Sequence, residues 1–200
     1  MLCIFSVKKP FSAKYAPLLI RISKYNYGKT LVTLSNMMDI KFRIPTDKDA
    51  LALHQLVDHA GTLDTNSIYC NLLQFSHFSE TAILAEHDGK LIGSVTGYRL
   101  PKEPNTLFVW QVAVDPEYRG QKIASKMLKS LSERVVKLGV THVETTITKD
   151  NQASQKLFKR FFAQVGQTHS CKPYFESDTH FQDRAATEFL HRSDLSQLTS

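Results

Sequence analysis

Arg119-Gly120-Gln121-Lys122 is a short basic segment containing a glycine. It lies between an apolar run that ends at Asp115-Pro116 and a run whose apolar residues recur at helical spacing. The first N–H groups of a helix have no intrahelical acceptor, and the helix dipole is positive at that end. A basic, glycine-containing entry to a helix is therefore a place to hold a pyrophosphate. It is neither of the two common nucleotide loops, since the chain contains no GxxxxGK[ST] and no GxGxxG. Two further groups carry chemistry. Leu63-Asp64-Thr65-Asn66-Ser67-Ile68-Tyr69 crowds hydrogen-bonding side chains between two expected helices, and capping by Asp64 or Asn66 explains this as well as a binding loop does. Glu144, Thr146 and Thr148 share one face of an expected strand.

The elements that must position these groups follow from periodicity. Asp39–Ile44 alternates as a half-buried strand, and a helix is expected from about Thr46 to Ala60, stopped by Gly61. A second helix reaches about Phe78. Thr81–Glu86 and Lys90–Arg99 form a hairpin about His87-Asp88-Gly89, with a further turn at Lys102–Thr106. Leu107–Val114 is an apolar, β-branched strand. Its period of two puts Trp110, Val112 and Val114 on one face. Ile123, Met127, Leu128, Leu131 and Val135 mark the long helix after the basic loop. Thr141–Thr148, a helix from Asn151, a strand at Gln164–His169 and a last strand near Glu188–His191 complete the chain. Hairpins followed by a β-α-β crossover give an α/β (α+β) domain: a mixed, mostly antiparallel sheet with helices on both faces.

Composition narrows the partners. Six of the 25 Lys+Arg lie in residues 1–38, which contain no acid, so the rest of the chain sets 19 cations against 19 acids. The net charge of +6 is thus a property of the leader; the folded part is not a basic protein, and a nucleic-acid partner, which is not expected, would have to be held by the leader alone. Three widely spaced cysteines without a CxxC predict neither disulfides nor a metal site and favour a reducing, cytoplasmic setting. No apolar run reaches membrane-spanning length. Residues 1–38 are expected to be a disordered or non-native extension, with the true start at Met37 or Met38 and residues 1–36 dispensable. Residues 39–192 are then the domain and 193–200 a polar tail.

Arg119-Gly-x-x-x-Ala124 after a strand ending in Asp-Pro resembles the acetyl-CoA loop of the GNAT acetyltransferases, with Lys122 where that loop usually has a glycine. Three segments, Leu63–Tyr69, Phe108–Val114 and Glu144–Ser154, together resemble the diaminobutyrate acetyltransferases of ectoine biosynthesis over residues 40–192. The resemblance implies acetyl transfer from acetyl-CoA to the γ-amine of L-2,4-diaminobutyrate, without a metal, in an enzyme that is a homodimer. It implies a Val112 N–H stabilising the thioester oxyanion and Val112 and Val114 backbones along the pantetheine arm. Arg119, Gly120, Gln121, Lys122 and Ala124 would hold the pyrophosphate. Asn151 and Ser154 would face the cofactor, with helix capping as the other account of them. Asp64 would anchor an ammonium of the acceptor, with Tyr69, Thr146 and Thr148 as donors and Trp110 as pocket wall. Glu144 is the candidate base and Tyr69 the candidate acid. Phe158 stands where many relatives carry a tyrosine, and Ala185-Ala186-Thr187 where diaminobutyrate enzymes commonly carry a His-Asp pair, with His180 nearby. A GNAT acting on another small amine, and a non-catalytic acyl-CoA-binding domain, are the competing readings.

Overall fold

The structure is a computed structural model that describes residues 38–61 and 63–198; the expected leader lies almost wholly outside them. Seven strands form one sheet: β1 (Lys41–Arg43), β2 (Ile83–His87), β3 (Lys90–Leu100), β4 (Glu103–Val114), β5 (His142–Thr148), β6 (His169–Phe175) and β7 (Glu188–Asp194). Their order is β1-β2-β3-β4-β5-β7-β6, and only β4 with β5 runs parallel. Among the described residues five α-helices surround it: α1 (Ala50–Ala60), α2 (Ile68–His77), α3 (Ile123–Val136), α4 (Gln152–Val165) and the short α5 (Ser177–Phe181).

Two apolar layers hold the helices to the sheet. On one face α3 and α4 bury Met127, Leu128, Leu131, Phe158, Phe161 and Phe162 against Ile83, Ile92, Val95, Leu107, Val109, Val143 and Ile147. On the other, Leu53, Leu56 and Val57 of α1 and Phe75 of α2 pack on Leu84 and Ala113. Among the described residues no helix is long and apolar enough to cross a membrane.

The structure corrects four local expectations. Ser67, not Asp64 or Asn66, caps α2, its hydroxyl accepting from the Cys70 N–H at 3.1 Å. The expected turn at Lys102–Thr106 is mostly strand, since β4 begins at Glu103. Gln164 and Val165 finish α4, Val165 being buried among the phenylalanines, and the strand lies later, at His169–Phe175. The domain does not end at 192: Ser193 is buried and Leu195 fully so.

A bulge in β4 matters most for function. Gln111 pairs with Thr96 and Val109 with Gly97, which leaves Trp110 as the extra residue. Leu107 and Val109 face α3 and α4; beyond the bulge Val112 and Val114 face them, while Ala113 faces α1. Trp110 instead meets Tyr98, whose ring also touches Phe108 and Phe78 on the α2 side. The expectation that Trp110 shares a face with Val112 and Val114 is therefore wrong, because a bulge resets the period of two. Gly97 permits it: an added Cβ would lie 2.5 Å from the Phe108 carbonyl oxygen. Gly97→Ala is expected to cost about 1–3 kcal/mol in thermal or denaturant unfolding, because the obstacle is backbone. Gly93→Ala, whose Cβ meets the end of the flexible Met127 side chain at 2.9 Å, should cost less. Equal losses would contradict the role given to Gly97.

Candidate active site

The site is made by a ladder that stops. β4 and β5 pair only over Thr106–Phe108 with His142–Glu144. The Thr145 hydroxyl then donates to the Val109 carbonyl at 3.1 Å, and beyond it the strands separate. The Asp115 N–H donates to Ile92 O at 2.9 Å, which fixes the alternation of the β3–β4 ladder. Ala113 bonds towards β3, so the N–H and C=O groups of Val112 and Val114 point to the open side. There Arg119 Nε donates to the Val114 carbonyl at 3.3 Å. The gap is a cleft of about 660 Å³ lined by Val112 to Val114, the basic loop, the first turn of α3 and the N-terminal half of α4. A smaller cavity of about 20 Å³ adjoins it, sharing Leu63, Val112, Thr148, Asn151 and Ser154 and adding Trp110, Thr146 and Phe158.

The loop is held from behind by Asp115. Its carboxylate accepts from the Glu117 N–H at 2.9 Å and from Lys90 Nζ at 2.8 Å. Burial opposes its charge, yet the Lys90 ammonium and the Glu117 N–H hold its pKa below the usual value. The turn passes through Gly120 at φ +81° and Lys122 at φ +62°. Lys122 thus adopts the left-handed conformation a glycine would take there, at a strain of about 1–2 kcal/mol. The first helical bond of α3 is Lys126 N–H to Lys122 O, so the N–H groups of Ile123, Ala124 and Ser125 open into the cleft without helical acceptors. Arg119 is folded back, donating to Ala60 O at 3.0 Å as well as to Val114 O. It ties the end of α1 to the end of β4. Gln121 is exposed and does not line the cleft.

On the acceptor side the expected residues divide. Thr146, Thr148 and Trp110 gather at the smaller cavity. Asn151 caps α4, its oxygen accepting from Ser154 N–H at 3.0 Å, and both residues line the clefts as well, so capping and facing the cleft are compatible. Asp64 lines neither cavity; its backbone carbonyl accepts from Gln111 Nε2 at 3.1 Å, next to Leu63, which lines both. Tyr69 is 68% exposed on α2 and lines neither. Glu144 is bound to Arg192 at 2.6 Å, and that guanidinium also holds Glu103 at 2.9 Å. The Glu144 carboxylate is thus committed to an ion pair on the far side of the strand pair from the donor loop's cations. His180 accepts from the Glu176 N–H through Nδ1 at 3.0 Å and lies against the Phe175 ring.

Sequence reading missed Glu188. It lies opposite Thr148 in the β5–β7 ladder and is bonded to Thr146. It is 7% exposed, and its Oε2 is buried without a partner among the described residues. Burial pushes its pKa up to about 7, against the Thr146 hydrogen bond and with the repulsion of Asp150. Only the cross-strand pairing reveals this, because one acid forty residues from Thr148 has no local signature. Among the described residues there is no cluster of three metal-ligating side chains.

A strand with a free backbone edge that leads into an uncapped helix N-terminus offers an extended, phosphate-bearing donor both backbone partners and an anion site, as an acetyl-CoA-dependent acetyltransferase requires. Residues 50–163 match the model of the acetyltransferase (GNAT) family. The chain is 46% identical over 154 residues to the L-2,4-diaminobutyric acid acetyltransferase of Vibrio parahaemolyticus, covering 77% of this chain and 85% of that one. It is 44% identical over 154 residues to the enzyme of the same name from Vibrio cholerae, covering 77% of this chain and 89% of that one. In structure it is similar to diaminobutyrate acetyltransferase EctA from Paenibacillus lautus, solved with L-2,4-diaminobutyric acid and coenzyme A. That likeness has a TM-score of 0.73 and 32% identity over 79% of this chain and 96% of the other. The chain belongs to the GNAT acetyltransferase family and, within it, to the diaminobutyrate acetyltransferases.

The raised Glu188 pKa fixes a sign for stability. The folded state holds this proton more tightly than the unfolded one, so the group's contribution is complete below its ordinary carboxylate value and is lost as pH rises through about 7. Glu188→Gln should therefore gain in melting temperature relative to the parent between pH 5 and pH 8. Parallel profiles for the two proteins would contradict a buried, titrating Glu188.

Proposed function

We propose that this chain transfers the acetyl group of acetyl-CoA to the γ-amine of L-2,4-diaminobutyrate. The observation that carries the reading is the open edge of β4. It runs from the free N–H groups of α3 to a small cavity with a buried carboxylate beside it. The pyrophosphate of the donor binds the first turn of α3 and the Gly120–Lys122 turn, in the positive field of the helix end. The pantetheine arm pairs with the exposed backbone of Val112 and Val114 like a short added strand. The thioester carbonyl then lies at the Val112 N–H, which stabilises the oxyanion formed on attack.

The acceptor enters from the α2 side. Asp64 anchors an ammonium group, Thr146 and Thr148 serve the carboxylate, and Trp110 walls the pocket. An alkyl ammonium must lose a proton before its nitrogen attacks. Glu188, rather than Glu144, accepts it directly or through water, since Glu144 is committed to its ion pair with Arg192. The new C–N bond forms, the attacking nitrogen sheds its second proton to solvent, the C–S bond breaks, and the thiolate leaves along the cleft. Phe158 has no proton to give at the cleft wall, so the thiolate takes its proton from solvent.

A panel of amines assayed with acetyl-CoA tests the substrate. Diaminobutyrate should be turned over well ahead of ornithine, lysine and polyamines; good turnover of one of those without turnover of diaminobutyrate would contradict the reading. The kcat/KM for diaminobutyrate should climb as pH rises through about 7, because only ionised Glu188 accepts a proton. In Glu188→Gln that limb should disappear and kcat should fall about 10²–10⁴-fold. An unchanged pH profile would remove Glu188 from the chemistry. Asp64→Ala should raise the KM for diaminobutyrate at least tenfold while leaving that for acetyl-CoA within about twofold, and an unchanged acceptor KM would exclude Asp64.

A further inference from the structure

Three cationic side chains line the donor cleft, Arg119, Lys122 and Arg160, with a single carboxylate, Asp150. Two of the cations are already accounted for. Arg119 is anchored at the loop, donating to the carbonyls of Ala60 and Val114. Lys122 stands at the start of α3, beside the N–H groups that take a pyrophosphate. Arg160 is exposed, lines the cleft, and has no hydrogen bond or ion pair among the described residues.

Its position along the cleft is set by α4. Ala153, Leu157 and Arg160 follow one another at i, i+4 and i+7, a single stripe of the helix turned to the cleft. Arg160 is thus about 10 Å along the helix axis from Ala153. The first turn of α4, with Asn151 and Ser154, lines the small cavity beside Trp110 and Val112, where the reacting carbon sits. Arg160 therefore marks the end of the cleft away from the chemistry. The helix carries Lys156 and Lys159 as well, and Gln152–Val165 contains no acid. The outer part of the donor cleft is in a positive field that the acetyl and pantetheine groups, being uncharged, do not need.

We propose that Arg160 binds the ribose 3′-phosphate of the donor and makes the enzyme selective for coenzyme A over its 3′-dephospho form. Coenzyme A carries two separate anionic groups, the pyrophosphate and this monoester. The pyrophosphate uses the α3 N-terminus, and the monoester, at the nucleoside end, requires a cation of its own. A guanidinium fork fits the oxygens of a phosphate monoester better than a point charge does. This inference rests on the donor assignment made above.

Calorimetric titration of the full chain with coenzyme A and with 3′-dephospho-coenzyme A tests it. The parent protein should bind coenzyme A at least tenfold more tightly. Arg160→Gln should bind both ligands alike, at the affinity the parent has for the dephospho form, and Arg160→Lys should recover part of the difference. In turnover, Arg160→Gln should raise the KM for acetyl-CoA about tenfold with kcat and the diaminobutyrate KM unchanged. Equal affinity of the parent for the two ligands, or equal weakening of both by Arg160→Gln, would overturn the assignment while leaving the donor reading intact. Binding of neither ligand by the parent would overturn the donor reading and this assignment together.

Discussion

The ladder between β4 and β5 ends at Phe108 and Glu144, and the rest of the site depends on that end. A strand continuing past its partner leaves every second N–H and C=O unpaired, a cost when buried and an opportunity when a ligand supplies the missing partner. The Thr145 hydroxyl on the Val109 carbonyl closes the paired part. Beyond it, the chain has arranged that the free groups of Val112 and Val114 face a cleft rather than packed side chains. Beyond the Trp110 bulge the opposite edge of β4 stays paired with β3 from Gln111 to Val114, so the open edge is presented from a held strand. A donor bound there is positioned by backbone, whose geometry does not depend on rotamers.

The helix that opens at the cleft mouth extends the same logic. Asp115 ends β4, caps the turn that follows and is itself held by Lys90, so strand end and loop are one unit. The turn reaches the left-handed conformation at Gly120 and again at Lys122. The lysine accepts strain of about 1–2 kcal/mol there and supplies a cation at the mouth of the α3 amides. Arg119 braces α1 against β4 through its carbonyl partners and at the same time lines the cleft.

Much of this was legible in the sequence. The apolar periods of α3, α4 and β5 are strong because each packs one face on a dense core, and the basic loop with its glycine pointed to phosphate. The misreadings have physical causes. A bulge leaves no mark on the alternation of small and large residues, so the period of two groups Trp110 with Val112, whereas its ring lies against Tyr98, which in turn meets Phe108. Every residue of β6 is exposed and Pro173 interrupts it, which removes the alternation by which a strand is recognised. Glu144 and Glu188 could not be told apart from sequence. Arg192 neutralises the first, whereas burial opposite Thr148 raises the pKa of the second, and both depend on β7 lying against β5.

Residue-resolved amide hydrogen exchange tests the open edge of β4 most directly. In the free protein the amides of Val112 and Val114 should exchange fast and that of Ala113 slowly, despite their adjacency. Addition of coenzyme A should slow Val112 and Val114 at least tenfold and leave Ala113 unchanged. Protection of all three amides before coenzyme A is added, or no change at Val112 and Val114 on saturation, would contradict the account.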